Sequence, residues 1–377
     1  MRLSEFAHGR DNNFNLIRIA AAYAVLVTHS FALVAGSETA EPFREALGGM
    51  TMGSIAVDLF FIASGFLVTA SLLTRQSTIE FVWARGLRIF PALFVMLVLS
   101  VLGLGLFFTT VPWSAYFADP KLYKYFAKGL TLLGGVSYEL PGVFAGNPYG
   151  NSVNGSLWTM PHEVRMYAIL ALLWMVLAVT PRFRSKAFKA TVVSGAAAAG
   201  LFVVLSRLGV TSGGGNFVRL FFMFFTGAAF FVLKDRIVLS RPVFAVAFAV
   251  LLLAMFTDKH ILYLVYVATV AYLLFFLAYV PSGFVRKYNA LGDYSYGVYI
   301  YAFPVQQSII ALVPGVSVSS MVLISTVVTL PMAILSWHFL EKHALRLKGQ
   351  YVTHTQRLLA FGLTRRSSVT PQEIGAP

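Results

Sequence analysis

The sequence predicts an all-α fold: a polytopic membrane protein with about ten transmembrane helices and both termini on the cytoplasmic side. Three observations carry that expectation. Of 377 residues, 58% are hydrophobic and 12% charged, against about 25% charged in soluble domains. Apolar runs near the roughly 20 residues that cross a bilayer recur along the whole chain. Basic residues alternate by connection. With the N-terminus inside, 20 of the 29 Lys and Arg fall on inner segments and seven on outer ones, the bias that orients membrane proteins.

Ten runs follow in order: 14–35, 52–73, 83–109, 164–181, 190–207, 217–234, 242–257, 261–280, 294–313 and 320–340. The first holds Arg18 and His29, and the second holds Asp58. The third opens on Arg85 and Arg88. The longest connection, 110–163, is expected on the outer side. It is aromatic and Gly-rich, and loops of this length are usually functional or disordered. Within it, Asp119–Leu133 places Lys121, Lys124 and Lys128 one or two turns apart with apolar residues between. That is the pattern of a helix lying in a membrane interface. Ser212–Asn216 reads as a flexible outer turn. The run at 242–257 is short. His338, Glu341 and His343 fall at the inner end of the last run. Residues 1–348 form the expected membrane domain, and 349–377 a basic, disordered cytoplasmic tail.

Inner segments include Arg10, Arg75, Arg182, Arg184, Lys234 and Arg236, so the net charge of +14 is explained by an inner face against anionic lipid. Nucleic acid is not needed as a partner. The absence of cysteine excludes disulfides, thiolate metal sites and an acyl-cysteine intermediate. No His pair has metal-ligand spacing with a carboxylate, and no Gly-x-Ser-x-Gly elbow is present. No metal is expected.

Ionisable residues within a membrane are functional candidates by default. By depth they separate into two groups. The outer group is His29, Asp58 and Glu163, with His162 adjoining. Spans one and two are antiparallel, so Asp58 is a candidate partner that fixes the His29 tautomer. The same pair also reads as a structural link between two helices. The inner group is Arg18, Arg85 and Arg88. Arg85 and Arg88 share one helical face, and guanidinium forks suit phosphate. Two arginines at an inner helix start also satisfy the topology rule alone. Arg18 and His29 are eleven residues apart, about 20° past three full turns with a rise of roughly 16 Å. One helix face therefore carries a cation near one membrane surface and an imidazole toward the other. Ala22 and Leu26 lie between them, and Gly65 lies on the Asp58 face. Small residues here permit either close packing or passage of a narrow chain.

Five segments then resemble the acyltransferase-3 family, the membrane O-acylases of bacterial polysaccharides, lipopolysaccharide and peptidoglycan. They are Asn13–Arg18 running to His29; Val57-Asp58-Leu59-Phe60-Phe61-Ile62-Ala63-Ser64-Gly65-Phe66; Arg85-Gly86-Leu87-Arg88-Ile89-Phe90-Pro91; Ser156-Leu157-Trp158-Thr159-Met160-Pro161-His162-Glu163; and Leu291–Tyr301. The similarity covers roughly residues 13–345. It implies transfer of an acyl group, usually acetyl from acetyl-CoA, to a carbohydrate hydroxyl, in the inner (cytoplasmic) membrane as a multi-pass protein. Acyl-CoA is then a donor substrate, with no permanently bound cofactor. The resemblance makes His29 catalytic and gives Arg85 and Arg88 to the donor. The residue reading adds Asp58 and Glu163 to the catalytic group, Arg18 to the donor group, and Trp158 and His162 to a glycan or lipid-linked acceptor. Many relatives have His where this chain has Ala302, so a second imidazole is missing there. Two rival classes remain: a transporter or flippase using the polar residues as a relay, and a scaffold for polysaccharide assembly.

Overall fold

A computed structural model describes residues 2–7, 9, 11–179 and 184–367. Arg10 and Arg182, counted above as inner charges, and residues 368–377 of the tail lie outside the described residues. Regular structure among the described residues is helical. The principal helices are α1 (Phe14–Ala35), α2 (Met52–Arg75), α3 (Thr78–Val98), α4 (Pro120–Thr131), α5 (Met160–Val176), α6 (Arg184–Arg207), α7 (Gly215–Val232), α8 (Arg241–Ala254), α9 (Lys259–Tyr279), α10 (Ser295–Leu312), α11 (Val318–Leu335) and α12 (Lys348–Ser367).

Each of the ten apolar runs coincides with a helix. Seven helical segments among the described residues are long and apolar enough to cross a membrane: α1, α2, α6, α7, α9, the continuous stretch Thr78–Phe108 and the stretch Val318–Ala360. The other three differ for visible reasons. Helices α5 and α8 are short, at 17 and 14 residues. Helix α10 holds buried Gln306 and Gln307, which lower its hydropathy. Their amide nitrogens find acceptors within the protein, while the Gln306 Oε1 has no partner among the described residues. Gln306 donates to the Leu26 carbonyl at 2.8 Å and to Ser30 at 2.7 Å. Gln307 donates to the Ser152 carbonyl at 2.7 Å and accepts from Asn147 at 2.7 Å. A polar helix core is tolerable here because it pins α1 and the long loop to α10.

Helix α2 is the centre of the bundle, packed on α1 and most extensively on α7. Close approach requires glycine on both sides. A Cβ on Gly65 would sit 1.8 Å from the Phe224 carbonyl oxygen, and one on Gly227 would sit 1.9 Å from that of Ile62. Gly65 therefore serves packing against α7. It does not widen a passage between α1 and α2. Within the stripe from Arg18 to His29, Ala22 likewise serves packing, buried in a cluster with Val298 of α10 and Ala333 of α11.

Two π-helical turns extend α3 and α11, at Leu99–Leu104 and Ser336–Glu341. Such turns often mark functional positions, and the second carries Glu341 inward. Helix α4 is the amphipathic helix expected in the long loop. Asp119 caps it, Leu122, Tyr125 and Gly129 are buried, and Lys121 and Lys124 are exposed.

The tail departs from expectation. Residues to Ser367 are helical as α12, which packs on α3. Trp83 stacks on Tyr351 at 4.5 Å and donates from its indole to Thr355 at 2.9 Å, while Lys348 pairs with Glu80 at 2.7 Å. The polar composition that reads as disorder supplies the partners for α3 instead.

Candidate active site

His29 lies on the last third of α1 and opens on a cavity of about 1320 Å³. Its ring meets Phe303 edge-on at 5.1 Å, and its buried Nδ1 has no hydrogen-bond partner among the described residues. One turn of backbone fixes the neighbouring wall. The Gly53 amide donates to the Thr28 hydroxyl at 2.8 Å, and a Cβ at Gly53 would press on Thr28 at 3.0 Å. This locks the start of α2 beside His29.

The cavity roof is the long loop, through Tyr138, Glu139 and Tyr149–Ser152. Asn154 holds the loop down by donating to the Ile300 carbonyl at 2.9 Å. The segment leading into α5 then delivers Trp158 and His162 to the same cavity, their rings edge-on at 5.9 Å. Both residues expected to meet an acceptor are thus brought together with His29. Tyr299 closes the inner side, its hydroxyl hydrogen-bonded to Thr159 at 2.7 Å and donated to the Ser156 carbonyl at 2.9 Å.

Two expected members of this group lie elsewhere. Asp58 does not face His29. Val57 lines the cavity, and Asp58, one residue or about 100° on, points toward α7 and α9. It is 2% exposed, accepts from the Tyr266 hydroxyl at 2.9 Å, and pairs with Arg219 Nε at 3.6 Å. Glu163 is displaced for the same reason. His162 lines the cavity while Glu163 turns into the bundle, where it accepts from the Tyr167 hydroxyl, itself 3.0 Å from Ser64. Sequence spacing gives depth along a helix; it does not give azimuth between several neighbours.

The arginines at the other end of α1 are also differently disposed. Arg18 and Arg88 each contact Asp293 Oδ2 at 2.6 Å, and Arg88 also contacts Glu341 Oε2 at 2.8 Å. Two cations thus face two carboxylates. Burial alone would raise the Asp293 carboxyl, yet Arg18, Arg88 and the Ser295 hydrogen bonds outweigh it and hold it below the usual carboxylate range. Gly292, at φ +137°, lets this loop pass under Trp337, which a Cβ would meet at 2.4 Å. Ser336 donates to the other oxygen of Glu341 at 3.0 Å. The expected phosphate fork of Arg88 is therefore occupied by protein carboxylates. Arg85 is the exception. Its guanidinium lies 5.9 Å over the Tyr167 ring, its Nε is buried, and it has no ion-pair partner among the described residues.

Asp293 and Glu341 were not singled out as arginine partners from sequence. Asp293 stood inside a motif already quoted, and the signal was an acidic residue in a nearly acid-free stretch. Arg219 is one of the seven basic residues expected on outer segments, and nothing else in the sequence marks it.

Comparison with known proteins adds the identity. The family model described as an acyltransferase domain, acyltransferase-3, matches residues 11–339. An O-acetyl transferase of Shigella phage Sf6 is 30% identical over 352 residues, covering 89% of this chain and 96% of the relative. Nodulation protein 10 of Rhizobium leguminosarum bv. viciae is 27% identical over 399 residues, covering 93% of this chain and 97% of the relative. No solved structure gives a significant match. The family match spans α1 through α11, including His29, its cavity, Arg18, Arg88 and Asp293, and the chain belongs to the acyltransferase-3 family.

Proposed function

We propose that this membrane acyltransferase moves an acetyl group from acyl-CoA on the cytoplasmic side to a hydroxyl of a glycan or lipid-linked oligosaccharide on the outer side. The observation that carries the reading is His29: an imidazole with a free buried nitrogen, in a large cavity it shares with Trp158. A neutral imidazole has one acceptor nitrogen. It takes the hydroxyl proton as the acceptor oxygen attacks the thioester carbonyl, and the proton then leaves with the CoA sulfur. Trp158 offers a face for a sugar ring. Acetyl as the group agrees with the phage relative, an O-acetyl transferase.

Arg85 is the arginine available to donor phosphates. Phosphate can reach Arg88 only by displacing Asp293 or Glu341, so Arg18 and Arg88 act chiefly as a clamp on the end of α10 and the π turn after α11. Asp58 and Glu163 support this site from behind its walls.

The test uses sealed vesicles of known orientation containing the protein, with labelled acetyl-CoA on one side only. Label is expected on an outer glycan only when donor is on the cytoplasmic face. Equal transfer from either face overturns the two-sided reading. Movement of intact acetyl-CoA without a glycan product would favour a transporter.

A further inference from the structure

The His29 cavity carries more cations than anions in its lining. Four arginines line it, Arg44, Arg165, Arg207 and Arg219, against two glutamates, Glu38 and Glu139. Three of the four have no ion-pair partner among the described residues; only Arg219 pairs with a carboxylate. Arg44 donates to the Glu38 backbone carbonyl at 3.0 Å and Arg207 to the Gly48 carbonyl at 2.8 Å. Those partners are neutral and leave both charges standing. Glu139 lies 4.0 Å from Lys121, outside the cavity. Arg165 is exposed, one helical turn beyond His162, and has no ion-pair or hydrogen-bond partner among the described residues.

Arg219 is the best built of the four. Its Nε faces Asp58 at 3.6 Å, and that carboxylate is itself fixed by Tyr266 at 2.9 Å. The terminal nitrogens of Arg219 have no protein partner among the described residues. A guanidinium held by its stem side, with its planar fork left open, matches the oxygens of a carboxylate or phosphate. Neutral sugar hydroxyls ask for no such charge, and a cavity wall of like charges is stabilised when an anion is bound.

We propose that the acceptor taken into the His29 cavity carries an oxyanion, a sugar carboxylate or a phosphate, and that Arg219 and Arg165 bind it, with Asp58 as the residue that positions Arg219. This rests on reading the cavity as the acceptor site. It narrows that acceptor to an acidic glycan or a glycan still attached to a lipid phosphate.

The experiment measures equilibrium binding to the full-length protein in nanodiscs at low ionic strength, without donor. The probes are trigalacturonate, inorganic pyrophosphate and neutral maltotriose. At least one anion is expected to bind about tenfold or more tighter than maltotriose. Tighter trigalacturonate identifies a carboxylate acceptor, and tighter pyrophosphate a lipid-phosphate one. R219Q should weaken the preferred anion about tenfold, and R165Q several-fold. D58N should weaken it as well, since Arg219 loses its anchor. R236Q, an exposed arginine away from the cavity, should change nothing. If R219Q folds poorly because it leaves Asp58 unpaired, the double variant D58N/R219Q removes both charges and takes its place. Binding of maltotriose as tight as the tighter of the two anions, no binding of either anion at millimolar concentration, or parent-like anion binding by both R219Q and R165Q overturns the inference. No donor is present, and the loss in R219Q and R165Q separates anion binding in this cavity from pyrophosphate binding at Arg85, so this outcome is independent of acyl-CoA use. Vesicles that acylate a neutral glycan while no anion binds would remove this inference alone.

Discussion

At the Arg18 end of α1, Arg18 and Arg88 converge on Asp293 and Glu341, and Glu341 is 0% exposed. At the His29 end, four arginines share a cavity with two glutamates, and their own partners are mostly backbone carbonyls. The same residue type has opposite uses. A guanidinium enclosed with carboxylates is consumed by the fold, because breaking such a pair leaves an uncompensated buried charge. A guanidinium anchored by neutral groups, as Arg44 and Arg207 are, keeps its charge for something that arrives later; Arg219 differs in meeting Asp58 through Nε, with its terminal nitrogens open. Arg85, stacked near Tyr167 with no carboxylate, belongs functionally with the second set although it sits at the first end.

The comparison breaks most readily at Glu341. Glu341→Ala leaves Arg88, whose side chain is 15% exposed, with one carboxylate shared with Arg18. Loss of about 3–5 kcal/mol is expected, seen as a lower melting temperature of the detergent-solubilised protein. Parent-like melting would show the cluster to be dispensable.

His29→Ala tests the other end. Transfer to glycan should fall by about 10²–10⁴-fold, the usual contribution of a general base, while melting stays close to the parent. Normal glycan acylation in cells carrying this variant as the only copy would remove His29 from the chemistry and favour a scaffold.

A smaller and sharper contrast lies within one helix face. Arg85→Ala should raise the KM for acyl-CoA about tenfold or more and leave the melting temperature nearly unchanged. Arg88→Lys should do the reverse, since a lysine point charge cannot serve Asp293 and Glu341 together as the fork does. If Arg88→Lys raises KM at unchanged stability, Arg88 is a donor ligand after all.

The smallest effect is expected at the helical tail. Thr355→Val removes the acceptor for the Trp83 indole at 2.9 Å. About 0.5–1.5 kcal/mol of stability should be lost, read as increased proteolysis of α12 with transfer retained. Unchanged proteolysis would mean that stacking on Tyr351 alone docks the tail.

Much of the site was legible because depth is a one-dimensional property. Arg18, His29, Trp158 and His162 lie where their spacing along the chain puts them, and the latter three share one cavity. Asp58 and Glu163 were at the right depth and on the wrong side. Each is adjacent to a cavity residue, and one step on a helix turns a side chain by about 100°. The partners of Arg88 were out of reach for another reason. Asp293 and Glu341 lie 205 and 253 residues away in sequence, and nothing local marks them as neighbours of α3.

What the sequence by itself determined was the helical membrane architecture, the amphipathic helix in the long loop, and the distance between Arg18 and His29. These follow from apolar run length, periodicity and a rise of about 1.5 Å per residue. Only the tertiary structure decided which arginines are neutralised and which stay charged. It also decided that Gly65 packs against α7, that Asp58 serves Arg219, and that the polar tail docks as a helix. Each of those outcomes depends on which helix lies across from which. That arrangement is set by packing and polar satisfaction over the whole bundle: glycine pairs that let backbones touch, and buried amides and charges that must each find a partner.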